Sequence, residues 1–268
     1  FMKLKTDWKQ YIQNIRIKEI EIIEPILFKN RIDKGLEIGA GNGFQSSILK
    51  KHINKLYCTE LNKERLIKKD IEGITYKILD AELIDRNFSS KYFNFIYSSN
   101  LFEHLPNPHL AIDGTKEILS DNGIIIHIIP SPFSVILRIM LWYPNIILSI
   151  LEKLLTIKSK DISVKNKTTD TATMMGNNMK LEKSSTPKII RLLIPTPHGV
   201  SKSIFSEIGD MRKILWKNRF EKSGFEIIKI VKGPIYSGYG IGLSRAKEFL
   251  DKAGLTSEYI YIMKKAKI

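Results

Sequence analysis

One short stretch constrains the fold more than any other: Leu36-Glu37-Ile38-Gly39-Ala40-Gly41-Asn42-Gly43. The apolar run Gly35 to Ile38 ends in glycines at alternate positions, and Phe44 to His52 then reads as a helix. A strand that turns so tightly into a helix needs glycine, because the backbone must bend and its N–H groups must stay open to a ligand with no Cβ in the way. The spacing G-x-G-x-G departs from the dinucleotide fingerprint G-x-G-x-x-G, position 44 being Phe, and no Lys-Ser/Thr pair follows as in a phosphate-binding P-loop. A nicotinamide oxidoreductase and a nucleoside triphosphatase are both disfavoured on that ground.

The pattern around this turn alternates strand and helix. Lys9 to Phe28 carries apolar residues near helical spacing and predicts a leading amphipathic helix, stopped or kinked near Pro25. Lys55 to Leu61 reads as a second strand, Asn62 as the cap of a helix through Lys69, and Ile74 to Leu79 as a third strand. Phe93 to Ser98 is a fourth strand, Pro108 to Leu119 a helix, and Gly123 to Ile129 a fifth strand stopped by Pro130. Ile204 to Ser223 is helical in pattern, with strands at Phe225 to Val231 and Tyr259 to Met263. Such alternation calls for an α/β fold, a doubly wound parallel sheet covered on both faces. The expected organisation is an N-terminal helical segment (1–30), a core (31–132), an apolar helical insertion with a polar lid loop (133–203) and a C-terminal part of the sheet (204–268).

Composition narrows the chemistry. With one cysteine, Cys58, the chain forms no internal disulfide and supplies neither a cysteine-rich zinc site nor an iron–sulfur cluster. No basic segment leading into an apolar stretch and a small-residue cleavage site opens the sequence, so a cytoplasmic protein is expected. The formal charge of +15 invites a nucleic-acid partner, but only 9 of the 43 basic residues are Arg while Ile occurs 45 times, the imprint of an A/T-rich coding sequence. The charge is uneven: residues 1–134 carry a net +2 and residues 135–268 a net +13, so an anionic partner would be met by the second half. From Phe133 to Leu155 the chain is nearly all apolar, broken by Arg138, Pro144 and Asn145, which suits a buried helix pair or a membrane-surface hairpin better than a span. Thr156 to Lys188, rich in Lys, Ser, Thr and Asn, reads as a lid loop.

Acids close the next two strands. Glu60 ends the second, where a carboxylate can accept hydrogen bonds from both hydroxyls of a ribose, and Asp80, followed by Ala81, ends the third, within reach of an adenine amino group. Residues 35–130 resemble the class I S-adenosylmethionine-dependent methyltransferases, in particular the small-molecule, type 11-like group, whose core reads like LEIGAGNG, an acid, DAE, then SSNLFEHLPNP. WKNRFEKSGFEIIKI, Trp216 to Ile230, is similar to the helix, turn and sixth strand of these enzymes. The resemblance implies a Rossmann-like sheet of seven strands with an antiparallel strand near the C-terminus. It implies Glu37, Gly39 and Gly41 against the methionine part of S-adenosylmethionine, Glu60 on the ribose, Asp80 and Ala81 flanking the adenine, and Asn100 closing over the cofactor. Asn94, where relatives often carry Asp, is a peripheral departure.

That cofactor supplies an activated methyl group, so the protein need only hold an acceptor in line and manage its proton; no metal is demanded. Ser98-Ser99-Asn100-Leu101-Phe102 is not the Asn/Asp-Pro-Pro-aromatic signature of exocyclic-amine methylation, and Cys58 inside a strand argues against attack on a pyrimidine. Acid–base chemistry at oxygen points to a histidine. His104, after the fourth strand, and His198, in a Pro/Gly-marked loop, are the candidates, whereas His127 lies inside strand five as a core residue. Tyr236 and Tyr239 are candidate pocket residues, and together with the Pro-x-His-Gly segment they are similar to methyltransferases of bacterial surface-glycan synthesis. The expected acceptor is a small, anionic molecule such as a nucleotide-linked or lipid-linked sugar, methylated at oxygen, with peripheral membrane contact through 133–155. The alternatives are an RNA methyltransferase tracking phosphates with its lysines, disfavoured by the scarcity of Arg, and a cofactor-binding protein without catalysis.

Overall fold

The computed structural model describes residues 7–66, 71–160, 197, 199–236, 238–239 and 244–267. Helix α1 (Trp8–Lys29) leads into β1 (Ile32–Ile38), α2 (Phe44–Leu49), β2 (Ile53–Glu60), β3 (Ile74–Ile78) and β4 (Phe93–Ser99). After these come α3 (Pro108–Ile118), β5 (Leu119–Pro130), α4 (Pro132–Met140), α5 (Trp142–Lys160), α6 (Ile204–Asp210), α7 (Lys213–Lys222), β6 (Phe225–Lys232), α8 (Ser244–Lys252) and β7 (Glu258–Lys265). The strands form one sheet in the order β3-β2-β1-β4-β5-β7-β6. Neighbouring strands from β3 to β5 are parallel, and β7 is antiparallel to both β5 and β6. The doubly wound sheet with an antiparallel strand near the C-terminus is therefore present.

Alternation along the strands sends successive side chains to opposite faces. Phe95, Tyr97, Ile126, Ile128, Ile260 and Ile262 pack beneath α1 and α2. Ile96, Ile125, Ile129, Tyr261 and Met263 pack on the other face with Ile112 of α3 and Trp216 and Phe220 of α7. Both faces are covered, which is why β4 and β5 read as almost unbroken apolar runs.

Several expectations need correction. Helix α1 runs through Pro25 to Lys29; burying Ile20, Ile23 and Leu27, worth about 1.5–3 kcal/mol each, outweighs the roughly 3 kcal/mol that an interior proline costs. Asn62 caps a 3-10 turn, Lys63–Arg65, that ends at Leu66, and residues 67–69 of the expected helix lie outside the described residues. The helical pattern from 204 to 223 is two helices, because Arg212 takes an extended conformation (φ −62°, ψ 131°) and the carbonyl of Asp210 accepts the Trp216 indole N–H at 2.9 Å. Helix α8 has no counterpart in the sequence reading. The start of the supposed lid, 156–160, belongs to α5, and residues 161–188 lie outside the described residues. Asn94 sits within β4, where its amide accepts from Lys34 N at 2.9 Å and donates to Arg31 O at 3.2 Å, tying β4 to the start of β1.

Phe220 is fully buried among Phe102, His127, Trp216 and Tyr261. Phe220→Ala should cost about 3–5 kcal/mol in urea unfolding; a loss below about 1 kcal/mol would show that α7 does not anchor this face.

Candidate functional site

The strand order reverses direction between β1 and β4, and at such a switch point the connections leave the carboxyl edge on opposite sides and open a crevice. On one side lies the glycine turn. Gly39 and Gly41 have φ of +74° and +56°, and a side-chain carbon added at Gly41 would meet no atom within 4 Å, so the space above it is open. Thr59 O accepts from both Gly39 N, at 2.8 Å, and Ala40 N, at 2.9 Å, which fastens the turn to the end of β2. Next to it the buried Glu60 accepts from Gly41 N at 2.9 Å through Oε2 and from Asn62 N at 3.1 Å through Oε1. Each oxygen keeps a further lone pair, the geometry that two vicinal hydroxyls require. Asp80 uses Oδ1 to cap Glu82 N at 2.9 Å and is followed by the buried Ala81. On the other side Asn100 leaves β4 with φ +49°, its N–H on Ile128 O at 2.9 Å.

Glu37 lies deeper than its neighbours in the motif. Its Oε2 accepts from Ser46 Oγ and, at 3.6 Å, from Cys58 Sγ, and burial raises its carboxyl to about 7 although both hydrogen bonds oppose the shift. Buried Cys58, its thiol pushed up by burial, is in the core as the sequence indicates. His127 is likewise a core residue: Nδ1 pairs with Ser98 Oγ at 2.7 Å, and burial drives the ring down to about 3.

The candidate bases and pocket residues divide. His104 ends the 3-10 turn Phe102–His104, is 39% exposed, and holds Nε2 3.7 Å from Glu103 Oε1. His198 lies outside the described residues, but the residues after it dock here: Val200 N donates to Glu103 O at 3.4 Å, and a side chain on Gly199 would strike that same carbonyl at 2.5 Å. Tyr236 is clamped by Ser257, whose Oγ accepts from Tyr236 N at 3.0 Å, and its hydroxyl feels Glu258, Arg16, Glu19 and Glu103. Tyr239 instead packs edge-on against Trp142 at 6.1 Å. The two tyrosines thus serve different surroundings.

A charged cluster escaped the sequence reading. Helix α1 buries Tyr11, Ile15, Glu19, Ile23 and Leu27, a stripe at four-residue spacing whose central member is an acid. Glu19 accepts from Arg16, from Ser99 Oγ at 2.8 Å, from Gln45 Nε2 at 2.9 Å and from Tyr97 OH at 3.5 Å. Beside it Glu103 and Glu258 are buried, and neither carboxyl makes a hydrogen bond of good geometry among the described residues, although the Asn100 amide bears on Glu258 and the backbone of Glu103 on its own carboxyl. Burial lifts Glu103 to about 8 and Glu258 well above the carboxylate range, with Glu19 adding to both shifts. The acid interrupting an apolar stripe was the available signal.

Residues 36–127 match the family described as the methyltransferase domain. None of the curated proteins matches the sequence. Among solved structures, a proposed S-adenosylmethionine-dependent methyltransferase from Listeria monocytogenes is similar with a TM-score of 0.56 at 14% identity, covering 96% of this chain and all of that one. An S-adenosylmethionine-dependent methyltransferase from Mesorhizobium loti aligns with a TM-score of 0.51 at 13% identity, covering 91% of this chain and 97% of that one. The [4+2]-cyclase SpnF, at 0.54 and 10%, covers 97% of this chain and 84% of that one, so a likeness of this order carries the fold alone. With the family match over the crevice-forming core, the chain carries a methyltransferase domain at residues 36–127, of the class I S-adenosylmethionine-dependent kind. Its cofactor is S-adenosylmethionine, and the open turn above Gly41 and the lone pairs of Glu60 fit such a molecule.

Gly41→Arg should fold with a strain of about 1–2 kcal/mol from its left-handed backbone yet lose S-adenosylhomocysteine binding in equilibrium titration; retained affinity would move the site elsewhere. For pH, the raised carboxyls of Glu37 and Glu103 contribute stability that is full below the unfolded carboxylate range and is lost as pH rises through about 7 and 8. His127, depressed to about 3, contributes stability that is full above the unfolded imidazole pKa of about 6.5 and is lost as pH falls toward 3. Thermal midpoints should decline on both limbs, Glu103→Gln flattening the alkaline one and His127→Gln the acidic one; unchanged limbs would refute these assignments.

Proposed function

We propose that this methyltransferase acts at oxygen on a small anionic acceptor, with Glu60 holding the cofactor ribose, Asp80 and Ala81 its adenine, Gly39 and Gly41 its methionine end, and Asn100 the lip of the crevice. The bound cofactor supplies a methyl group on a positively charged sulfur, ready for in-line attack. The chain's own work is then to place the acceptor oxygen and receive its proton.

The observation that carries the anionic reading is a groove of about 490 Å³ lined by Pro132, Arg212, Lys213, Ile214, Lys217 and Tyr259. Pro132 follows the end of β5 and Tyr259 stands at the start of β7, so the groove opens at the carboxyl edge, beside the crevice. Lys213 Nζ lies 5.4 Å over the Tyr259 ring, which keeps that charge at the mouth of the groove, while Lys217 is shared with Glu221. A phosphate or carboxylate on the acceptor suits these cations better than the buried acids around Asn100, which suit the hydroxyl end.

Peripheral membrane contact belongs to the same reading. No single described helix is long and apolar enough to cross a membrane; α4 and the first part of α5 form an apolar pair bent by 42°. Met140, Tyr143, Ile147 and Ile150 on it are exposed, a surface suited to the chain of a lipid-linked acceptor.

The test is transfer itself. With isotopically methyl-labelled cofactor and a lysate of the source cells, label should enter small anionic metabolites and stay out of RNA; label in RNA alone, or in nothing, would overturn the acceptor assignment. Once an acceptor is in hand, Arg212→Glu with Lys213→Glu should raise its KM about tenfold or more while sparing kcat.

A further inference from the structure

Four donors converge on Glu19, the surroundings of a carboxylate. Glu258 faces it with fewer: it is 0% exposed, its oxygens make no hydrogen bond of good geometry among the described residues, and the Asn100 amide and Glu19 itself are the polar side chains that bear on its carboxyl. Two buried carboxyls that bear on one another cannot both be ionised, and the proton stays on the one with fewer donors. That is Glu258. Arg16 and Glu19 from α1, Tyr97 from β4 and Tyr236 from the loop after β6 are the titratable groups that bear on it, together with the Asn100 amide.

The position of Glu258 is built rather than incidental. It begins β7 opposite Pro130, at the carboxyl edge and two strands from Asn100. Its carbonyl accepts from Gly233 N at 2.9 Å, and a side chain at Gly233 would lie 2.3 Å from Glu258 Cγ, so the chain forgoes a side chain at 233 to leave this carboxyl its place.

We propose that Glu258 is the proton-holding group of the transfer edge, protonated until the positive charge of the cofactor arrives, ionised while it is present, and the receiver of the acceptor's proton once that charge is gone. This rests on the methyltransferase reading and deepens it. The positive sulfur supplies the counter-charge that Glu258 lacks, so its proton leaves to solvent as the cofactor binds. On transfer an acceptor lone pair forms the new bond to the methyl carbon, the electron pair of the broken carbon–sulfur bond stays on sulfur, and the acceptor's O–H proton passes to the Glu258 carboxylate. Sulfur is then neutral and the carboxyl is again protonated beside Glu19. The base is thereby available only when the methyl donor is bound.

Proton linkage tests this without an acceptor. The full chain is titrated calorimetrically with S-adenosylmethionine and with S-adenosylhomocysteine, each in phosphate and in Tris at one pH near 7.5. The expected result is a buffer-dependent heat for the charged ligand, equivalent to roughly half a proton or more released per molecule bound, and little for the neutral one. Glu258→Gln should bind both ligands and lose the difference. Glu19→Gln, which lets Glu258 ionise beforehand, should lose it too and serves if the first variant does not fold. Equal proton release for both ligands, or a difference that survives in either folded variant, overturns the proposal. Absence of binding by either ligand to the unaltered chain would instead sink the cofactor reading on which it rests.

Discussion

The chain leaves β1 and β4 on opposite sides of the sheet, and the candidate site residues gather at the crevice that this divergence opens. Strand order alone does not hold the crevice in shape. Left-handed backbone at Gly39, Gly41 and Asn100 turns the chain away from the edge, and hydrogen bonds from Gly39 and Ala40 to Thr59 and from Gly41 to Glu60 fix the turn against β2. The same contacts that stabilise the bend point Glu60 at the open space above it.

The second half of the site is governed by charge taken out of water. Helix α1 carries Arg16 and Glu19 onto the end of β4, and β7 carries Glu258 beside them. Ionising every one of these carboxyls would leave negative charge in a low-dielectric interior, which is far costlier than keeping a proton. Burial therefore stores protons at the carboxyl edge of the sheet, while the exposed cations of the groove at Arg212 and Lys213 stand apart from that apolar, acidic interior. On the function proposed above, these two surfaces would take the anionic end and the protic end of the acceptor.

Legibility in the sequence followed how local each cause was. The glycine turn, the strand-end acids Glu60 and Asp80 and the core placement of His127 rest on short-range patterns, period two in strands and tight turns between elements, and could be read directly. Glu258 could not, because Thr256-Ser257-Glu258 before a strand looks like any solvated strand start, and only the antiparallel pairing of β7 with β5 brings it to the carboxyl edge. Glu19 was visible as an acid in an apolar stripe, but apart from Arg16 its partners lie 26 to 80 residues away. Of the stop or kink expected at Pro25, the stop does not occur for the opposite reason: the local penalty is overridden by tertiary packing of the residues around it.

The most direct measurement is diffraction from crystals grown with S-adenosylhomocysteine. Its ribose hydroxyls should lie on Glu60, its adenine beside Asp80 and Ala81, and its sulfur in the crevice between Gly39 and Asn100. Density for the ligand at the opposite edge of the sheet, in the groove between Leu27 and Asn54, with Glu60 untouched, would contradict it.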